Sequence, residues 1–396
     1  VCRNPIPVVD HGLRRKSSPT FRPVRKTVTT ETYRAAVIGL GRMGSTFDDE
    51  IEQGGSLFLP YCHAPSYDAH PRVELVAGAD PHDEQRQIFG ERWGIDSSHI
   101  YADVGKMLAK EDLDLVSICT TARVRRDIAV AVAEAGVRGI WLEKPISLSL
   151  KEADEMVAAC QQHGTSTAIN CARRWNPFFG ETRRQVDDGE LGRLLQVTAY
   201  AQCGLSHNGS HAIDTIRYLA AGEVTWVFGE MESDAAAEGE MDLQGNGYLA
   251  FDNGVRAYLR ALPTGVASWE FDVLGTEGRV RSLAGAIEWE KWIQVAGGPR
   301  QRGLPARVPF PWPARMRGMG LDIVDDLLAA IESDSKPRSD ITDGRAALEI
   351  AIALRESHRQ GGQRIDLPLE DRSLRIESAE IRDDSEPARV RRMKAS

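Results

Sequence analysis

Apolar residues in this chain fall into short runs whose rhythm changes twice. The first ordered-looking run, Arg34-Ala-Ala-Val-Ile-Gly39, is continuous and ends on glycine, as a strand buried on both faces of a parallel sheet does. Val73 to Ala79 follows and closes on Asp80-Pro81, then Leu113 to Thr120, Val137 to Leu142 and Ser166 to Asn170. Helical spacing separates these runs at Asp127 to Ala135 and Leu150 to His163. Strands alternating with helices predict βαβ units and a parallel sheet covered on both sides, over 32–174.

Beyond Pro177 the alternation becomes two-residue. Leu194 to Gln202, Val224 to Met231, Gly247 to Leu262 and Ser268 to Leu274 are strand-like, and Asp252-Asn253-Gly254 marks a hairpin. One helix interrupts them, from near His211 to Leu219; two more follow at Gly318 to Ser333 and Gly344 to Arg359. Successive strands without intervening helices predict a large open, mostly antiparallel sheet in an α+β domain, 175–370. The ends differ from both domains. Residues 1–31 are basic, rich in Pro, Ser and Thr and without periodicity, which predicts a flexible arm; 371–396 reads as a charged tail.

Composition narrows the function. At 396 residues the chain suits two domains, with 42% hydrophobic and 27% charged residues as in ordinary globular proteins. No apolar run reaches the roughly 20 residues of a membrane span. A net charge of −9 argues against nucleic acid or anionic membrane as partner and favours a small molecule. Six cysteines are scattered singly with no CxxC pair, which predicts reduced thiols, no metal site and a cytoplasmic protein. Arg14-Arg15-Lys16-Ser17 has the look of a twin-arginine export signal, but Phe21 to Lys26 is charged where an apolar segment is required.

Gly39-Leu-Gly41-Arg42-Met43-Gly44 directly follows the first strand. A GxGxxG string alone is weak; here a strand precedes it, a helix is expected after it, and Asp80 ends the next strand. Gly39 permits the tight turn, Gly41 lets backbone N–H groups approach a pyrophosphate, and Gly44 allows close packing, with phosphates at the helix's positive end. These features predict a Rossmann domain binding a dinucleotide. Asp80 would accept hydrogen bonds from the adenosine ribose and favour NAD over NADP, with Arg42 and Arg86 as cations that soften the preference. The distance from glycines to acid is unusually long. The surplus, Thr46 to Pro60, carries Asp48, Asp49, Glu50 and Glu52, and is either a solvated excursion or a lid using Leu57-Phe58-Leu59.

Two further motifs stand at the expected intervals: Glu143-Lys144-Pro145 after the fourth strand, and His207-Asn208-Gly-Ser-His211-Ala-Ile-Asp214 at a helix start. With the glycine loop, Asn170 through Pro177, Gly275 to Gly278 and Ile365 to Leu369, the chain resembles the Gfo/Idh/MocA oxidoreductases from about Tyr33 to Leu369. The resemblance implies that Lys144 lies near the nicotinamide and the reacting hydroxyl, that Pro145 follows a cis bond, and that His211 moves the proton. It implies that Asp214 holds substrate or histidine, places Thr120 and Glu143 with the cofactor, and puts Arg173 and Asn208 with the substrate. Chemistry agrees: taking hydride from an alcohol carbon requires removing the hydroxyl proton, and an imidazole with an ordinary pKa of about 6.5 can do so.

Two positions depart from the pattern. His207 stands where many relatives carry an aspartate, and Arg125 of Arg123-Val-Arg125 stands where relatives usually carry a histidine. These arginines either attract an anionic substrate or simply face solvent, as surface charges usually do. The expectation is a dehydrogenase for a sugar, cyclitol or related polyol, working as a homodimer or homotetramer paired through its open sheet. The alternatives are a retained-NAD enzyme that breaks a glycosidic or ether bond through transient oxidation, and a silent NAD-binding protein.

Overall fold

The computed structural model describes residues 31–51, 58–267, 269–297 and 303–377; most of the basic arm and of the charged tail lies outside these. The first sheet contains β1 (Tyr33–Ile38), β2 (Val73–Ala79), β3 (Ile100–Tyr101), β4 (Leu115–Ile118), β5 (Gly139–Leu142) and β6 (Ser166–Ile169). All its neighbours pair in parallel, in the order β3-β2-β1-β4-β5-β6. The strand order reverses between β1 and β4, which opens a crevice beyond their carboxyl ends where dinucleotides bind in such sheets. Every residue of β4 and β5 is buried, the reason these segments read as unbroken apolar runs.

The helices connecting this sheet are α1 (Asp48–Ile51), α2 (His63–Asp68), α3 (Asp83–Trp93), α4 (Val104–Lys110), α5 (Ala122–Glu134) and α6 (Leu150–His163). α6 starts where its chemistry says it should: Ser149 accepts the N–H of Glu152 while the Glu152 carboxylate accepts that of Ser149, and Gly164 at φ 66° ends it. The helix expected directly after the glycine loop is different. The loop runs into a five-residue π turn, Arg42–Thr46, and then into the four-residue α1, so no long helix aims its dipole at the phosphate position. The insertion splits this crossover helix, and its remainder is α2.

In its described part the insertion is tied down rather than a free flap. Asp48 accepts the N–H groups of Tyr61 and Cys62 and so begins α2, with a shortest contact of 2.9 Å. Asp49 pairs with both ends of Arg92 (2.6 and 2.7 Å), and Glu50 with both ends of Arg42 (2.7 and 2.8 Å). Its far end is held too: the Phe58 and Pro60 carbonyls accept Met319 and Gly320 N–H at 3.1 and 3.2 Å. Leu57 lies outside the described residues.

After α7 (Pro177–Asp187), the second sheet holds β7 (Leu194–Tyr200), β8 (Val224–Met231), β9 (Gly245–Phe251), β10 (Arg256–Arg260), β11 (Glu270–Gly275), β12 (Gly278–Leu283), β13 (Glu288–Val295), β14 (Leu304–Val308) and β15 (Ile365–Asp366). Its order is β14-β13-β12-β11-β7-β10-β9-β8-β15, antiparallel except for β7 beside β10. One face is covered by α8 (Gly209–Ala220) and by α11 (Ile341–Arg359), with the short α9 (Asp234–Glu238) alongside. A Cβ on Gly229 would lie 2.0 Å from the Leu354 carbonyl oxygen, so glycine there lets α11 lie directly on β8. The opposite face carries Trp226, Phe228, Tyr248 and Tyr258 with ring centroids 5.1–6.2 Å apart, and Phe228 and Tyr258 remain 40% and 42% exposed. α10 (Met319–Ser333) instead returns to the first sheet.

Residues 371–377 are not tail-like. Arg372 pairs with Asp154 and Glu349, Ile376 is buried, and the Leu374 carbonyl accepts the Leu150 N–H. This strap lies across the start of α6.

Candidate active site

Four strand ends of the first sheet deliver the residues that matter. Gly39 follows β1 with φ 87°, where a Cβ would sit 2.8 Å from the Cys119 carbonyl carbon. A Cβ on Gly44 would lie 2.0 Å from the Gly39 oxygen, so both positions demand glycine for a tight backbone cradle. The leading N–H groups of the Arg42–Thr46 turn, those of Arg42 and Met43, have no acceptor within a helix's first turn and suit phosphate oxygens. Beyond β2, Asp80 is buried, accepts the Leu40 N–H at 2.9 Å, and also accepts the N–H and ring Nδ1 of His82. Beyond β4, Thr120 Oγ1 is buried without a partner among the described residues. These features fit a dinucleotide: a cradle that side chains would fill, a carboxylate at the ribose position, and an orphaned hydroxyl in the crevice.

Beyond β5 comes Glu143-Lys144-Pro145, with the Lys144–Pro145 bond cis. The Lys144 ammonium donates to the His207 carbonyl and to Asn208 Oδ1, each at 3.2 Å. That contact brings the first sheet's edge to the turn that starts α8. Asn208 is the residue before α8, and His211 occupies its first turn with an unpartnered Nδ1 among the described residues. Burial, then the charges of Lys144 and Arg173, push the His211 imidazole well below its ordinary 6.5. Burial and Lys144 likewise bring His207 down to about 4. Both imidazoles are therefore neutral at pH 7, and Lys144, His207, Asn208 and His211 share one wall.

Several assignments change. Glu143, expected at the cofactor, is a buried hub: its Oε1 accepts from Asn170 at 2.5 Å and meets His63 Nε2 at 3.3 Å. Burial opposes its ionisation, but the His63 hydrogen bond and the charges of Lys144 and Arg125 outweigh this and hold the carboxyl down to about 2. Asp214 does not hold His211. Both its oxygens are taken by Arg174, at 2.7 and 2.9 Å, in a buried network that runs through Asp343 to Arg217. Arg125 does not face solvent: it is 1% exposed and donates to the carbonyls of Thr120 and Pro145, clamping the Lys144 turn from below. Arg123 pairs with Glu377 at 2.8 Å, so neither arginine reaches for a substrate.

Other participants had not been singled out. His63 stacks on Trp141 at 3.7 Å and meets Ser117 Oγ at 2.9 Å, anchoring Glu143 from behind. Asp242 accepts the Ser206 and His207 N–H groups at 2.7 and 2.8 Å and so fixes the loop that receives Lys144. Trp269 stands over Arg173, with the guanidinium carbon 4.2 Å from the ring centre, and meets His211 edge-on at 6.3 Å. His63 sits behind the insertion, which displaces it from the glycines; Asp242 lies in a loop with no periodic signal, and Trp269 lies just before β11 in a run that reads only as a strand.

The fold and this site define an NAD(P)-binding oxidoreductase with a Rossmann domain and a sheet domain. Residues 33–170 match the "Oxidoreductase family, NAD-binding Rossmann fold" and residues 179–281 the "GFO/IDH/MocA C-terminal domain". The chain belongs to the Gfo/Idh/MocA family. It is 28% identical to scyllo-inositol 2-dehydrogenase (NAD(+)) of Bacillus subtilis over 273 residues, 62% of this chain and 72% of that protein. It is 26% identical to D-apiose dehydrogenase of Paraburkholderia graminis, over 85% of this chain and 90% of that protein. An inositol dehydrogenase homologue of Azotobacter vinelandii, solved with NADH and myo-inositol, shares the fold with a TM-score of 0.66 at 16% identity, covering 85% of this chain and 98% of that one.

Asp214→Ala should cost about 3 kcal/mol, because it leaves the buried Arg174 charge short of a partner. Urea unfolding measures this. A variant that loses turnover with an unchanged unfolding midpoint would return Asp214 to the substrate.

Proposed function

We propose that the chain is an NAD-dependent dehydrogenase that oxidises a secondary alcohol of a sugar, cyclitol or related polyol, or reduces the matching ketone. The observation that carries this reading is the convergence of Lys144, from the first sheet, with the His207-to-His211 segment of the second domain. NAD, when bound, supplies the hydride acceptor. The alcohol carbon gives up a hydride and its hydroxyl gives up a proton, so a neutral base and a cation beside the oxygen complete the step. His211 is the base: burial and its cationic neighbours keep it unprotonated at pH 7. Lys144 places positive charge where the alkoxide develops, and His207, Asn208 and Arg173 line the substrate side.

Asp80 supports NAD over NADP, since a carboxylate at the ribose repels a 2′-phosphate. The two cations near it are committed elsewhere. Arg42 is paired with Glu50, and Arg86 donates to the carbonyls of Asp80 and Pro81 and to Asp83. A second copy of the chain is the partner that the aromatic face of the second sheet fits, because that cluster would otherwise stand in water.

His211→Ala should lower NADH formation by about a thousandfold while NAD still binds, whereas His207→Asp keeps part of the activity. Equal retention by both variants contradicts the assignment. In the alcohol-oxidising direction the acid limb of kcat/KM should lie below pH 6.5, because a base with a lowered pKa stays deprotonated there; a limb above that value argues for another base. Light scattering should show a dimer or tetramer that a Phe228→Glu, Tyr258→Glu double variant reduces to monomers, and a monomeric wild type defeats the pairing.

A further inference from the structure

Arg173 is a half-buried cation that the described contacts leave without a counterion. Neighbouring arginines on the same stretch of fold are satisfied: Arg174 by Asp214 and Asp343, Arg217 by Asp343 and Glu223, Arg183 by Asp187. Arg173 has no hydrogen bond or ion pair from its side chain among the described residues, although it is half-buried and burial pulls its pKa down. Asp214 is within electrostatic reach, but both its oxygens belong to Arg174. A guanidinium drawn out of water without an anion is costly, so such an arrangement persists where a ligand brings the missing charge.

The surroundings point the same way. Trp269 adopts φ 56°, a backbone conformation that bulky residues rarely hold, and its ring centre lies 4.2 Å from the guanidinium carbon. A guanidinium held against an indole keeps a planar fork of donors that a carboxylate can meet with both oxygens. The same indole meets His211 edge-on, so the vacant charge and the proposed base flank one volume. Tyr61, delivered by the insertion, lies within electrostatic reach of both Arg173 and Glu143.

We propose that Arg173 and Trp269 form a carboxylate subsite, and that the preferred substrate is a sugar acid or other polyol bearing one carboxylate. This deepens the dehydrogenase reading and rests on it for the hydride step. One unpaired positive charge matches a monoanion; a phosphate dianion would leave excess negative charge beside it. The subsite also serves the chemistry. Proton uptake by His211 is opposed by Lys144 and Arg173, and an anion set against Arg173 offsets that opposition.

The test uses full-length protein with NAD and matched compounds: D-glucuronate against D-glucose, D-gluconate against D-glucitol, and D-glucose 6-phosphate as a third arm. The acids should show KM values about tenfold or more below those of their neutral partners. In Arg173→Gln that preference should collapse to near one, and Arg173→Lys, which keeps the charge but not the fork, should fall between. With acids the acid limb of kcat should also lie higher than with neutral partners, since a neighbouring anion favours the protonated imidazole. Equal KM within each pair, a preference that survives Arg173→Gln, or tighter use of the phosphate arm each overturns the proposal. Should no compound reduce NAD, the dehydrogenase reading fails separately, and the subsite is read from melting of the NAD-saturated protein. D-glucuronate or D-gluconate raising Tm in wild type but not in Arg173→Gln sustains it; no rise overturns it.

Discussion

The reach of Lys144 from the end of β5 to the His207 carbonyl and Asn208 is the contact on which the proposed chemistry depends. It joins a residue set by a parallel sheet to a helix start set by an antiparallel one. Neither end of that contact is left to chance. Arg125 and the Glu143 hub fix the lysine's turn, and Asp242 fixes the receiving loop. The site is thus held at both ends by buried polar groups, Arg125 and Asp242 spending their hydrogen bonds on backbone and Glu143 on side chains, an arrangement that preorganises without needing a ligand.

Charge compensation explains much of the rest. Buried ions near the site either meet counterions, as Arg174 does, or are spent on carbonyl dipoles, as Arg125 is. The imidazoles are kept neutral by withdrawal from water and by nearby cations. A neutral base beside an ammonium is the combination that alcohol oxidation needs near pH 7. A site so arranged stays poised, because among the described residues no carboxylate hydrogen-bonds the His211 ring.

Much of this was legible in the sequence, for identifiable reasons. Parallel strands buried on both faces leave unbroken apolar runs, so β4 and β5 stood out, and helical spacing from Leu150 to His163 located α6. β12 to β14 were missed because their alternation is masked by charges, such as the half-buried Arg279 and Arg281 and the buried Lys291. Asn176 and Pro177 do signal the start of α7, but its run of arginines hid the apolar face. The burial of Arg125 ran against the general rule that arginines face water, and only the carbonyls of Thr120 and Pro145 explain it. Asp214 was assigned from a motif, whereas its partner Arg174 comes from another motif whose proximity no spacing reveals.

The central claim is spatial, and a crystal structure of the NAD complex tests it most directly. The account predicts Lys144 Nζ and a ring nitrogen of His211 both within about 4 Å of a substrate-sized volume over the nicotinamide C4, with the ribose on Asp80. A nicotinamide ring lodged away from that wall, or Lys144 and His211 opening into separate crevices, would contradict it.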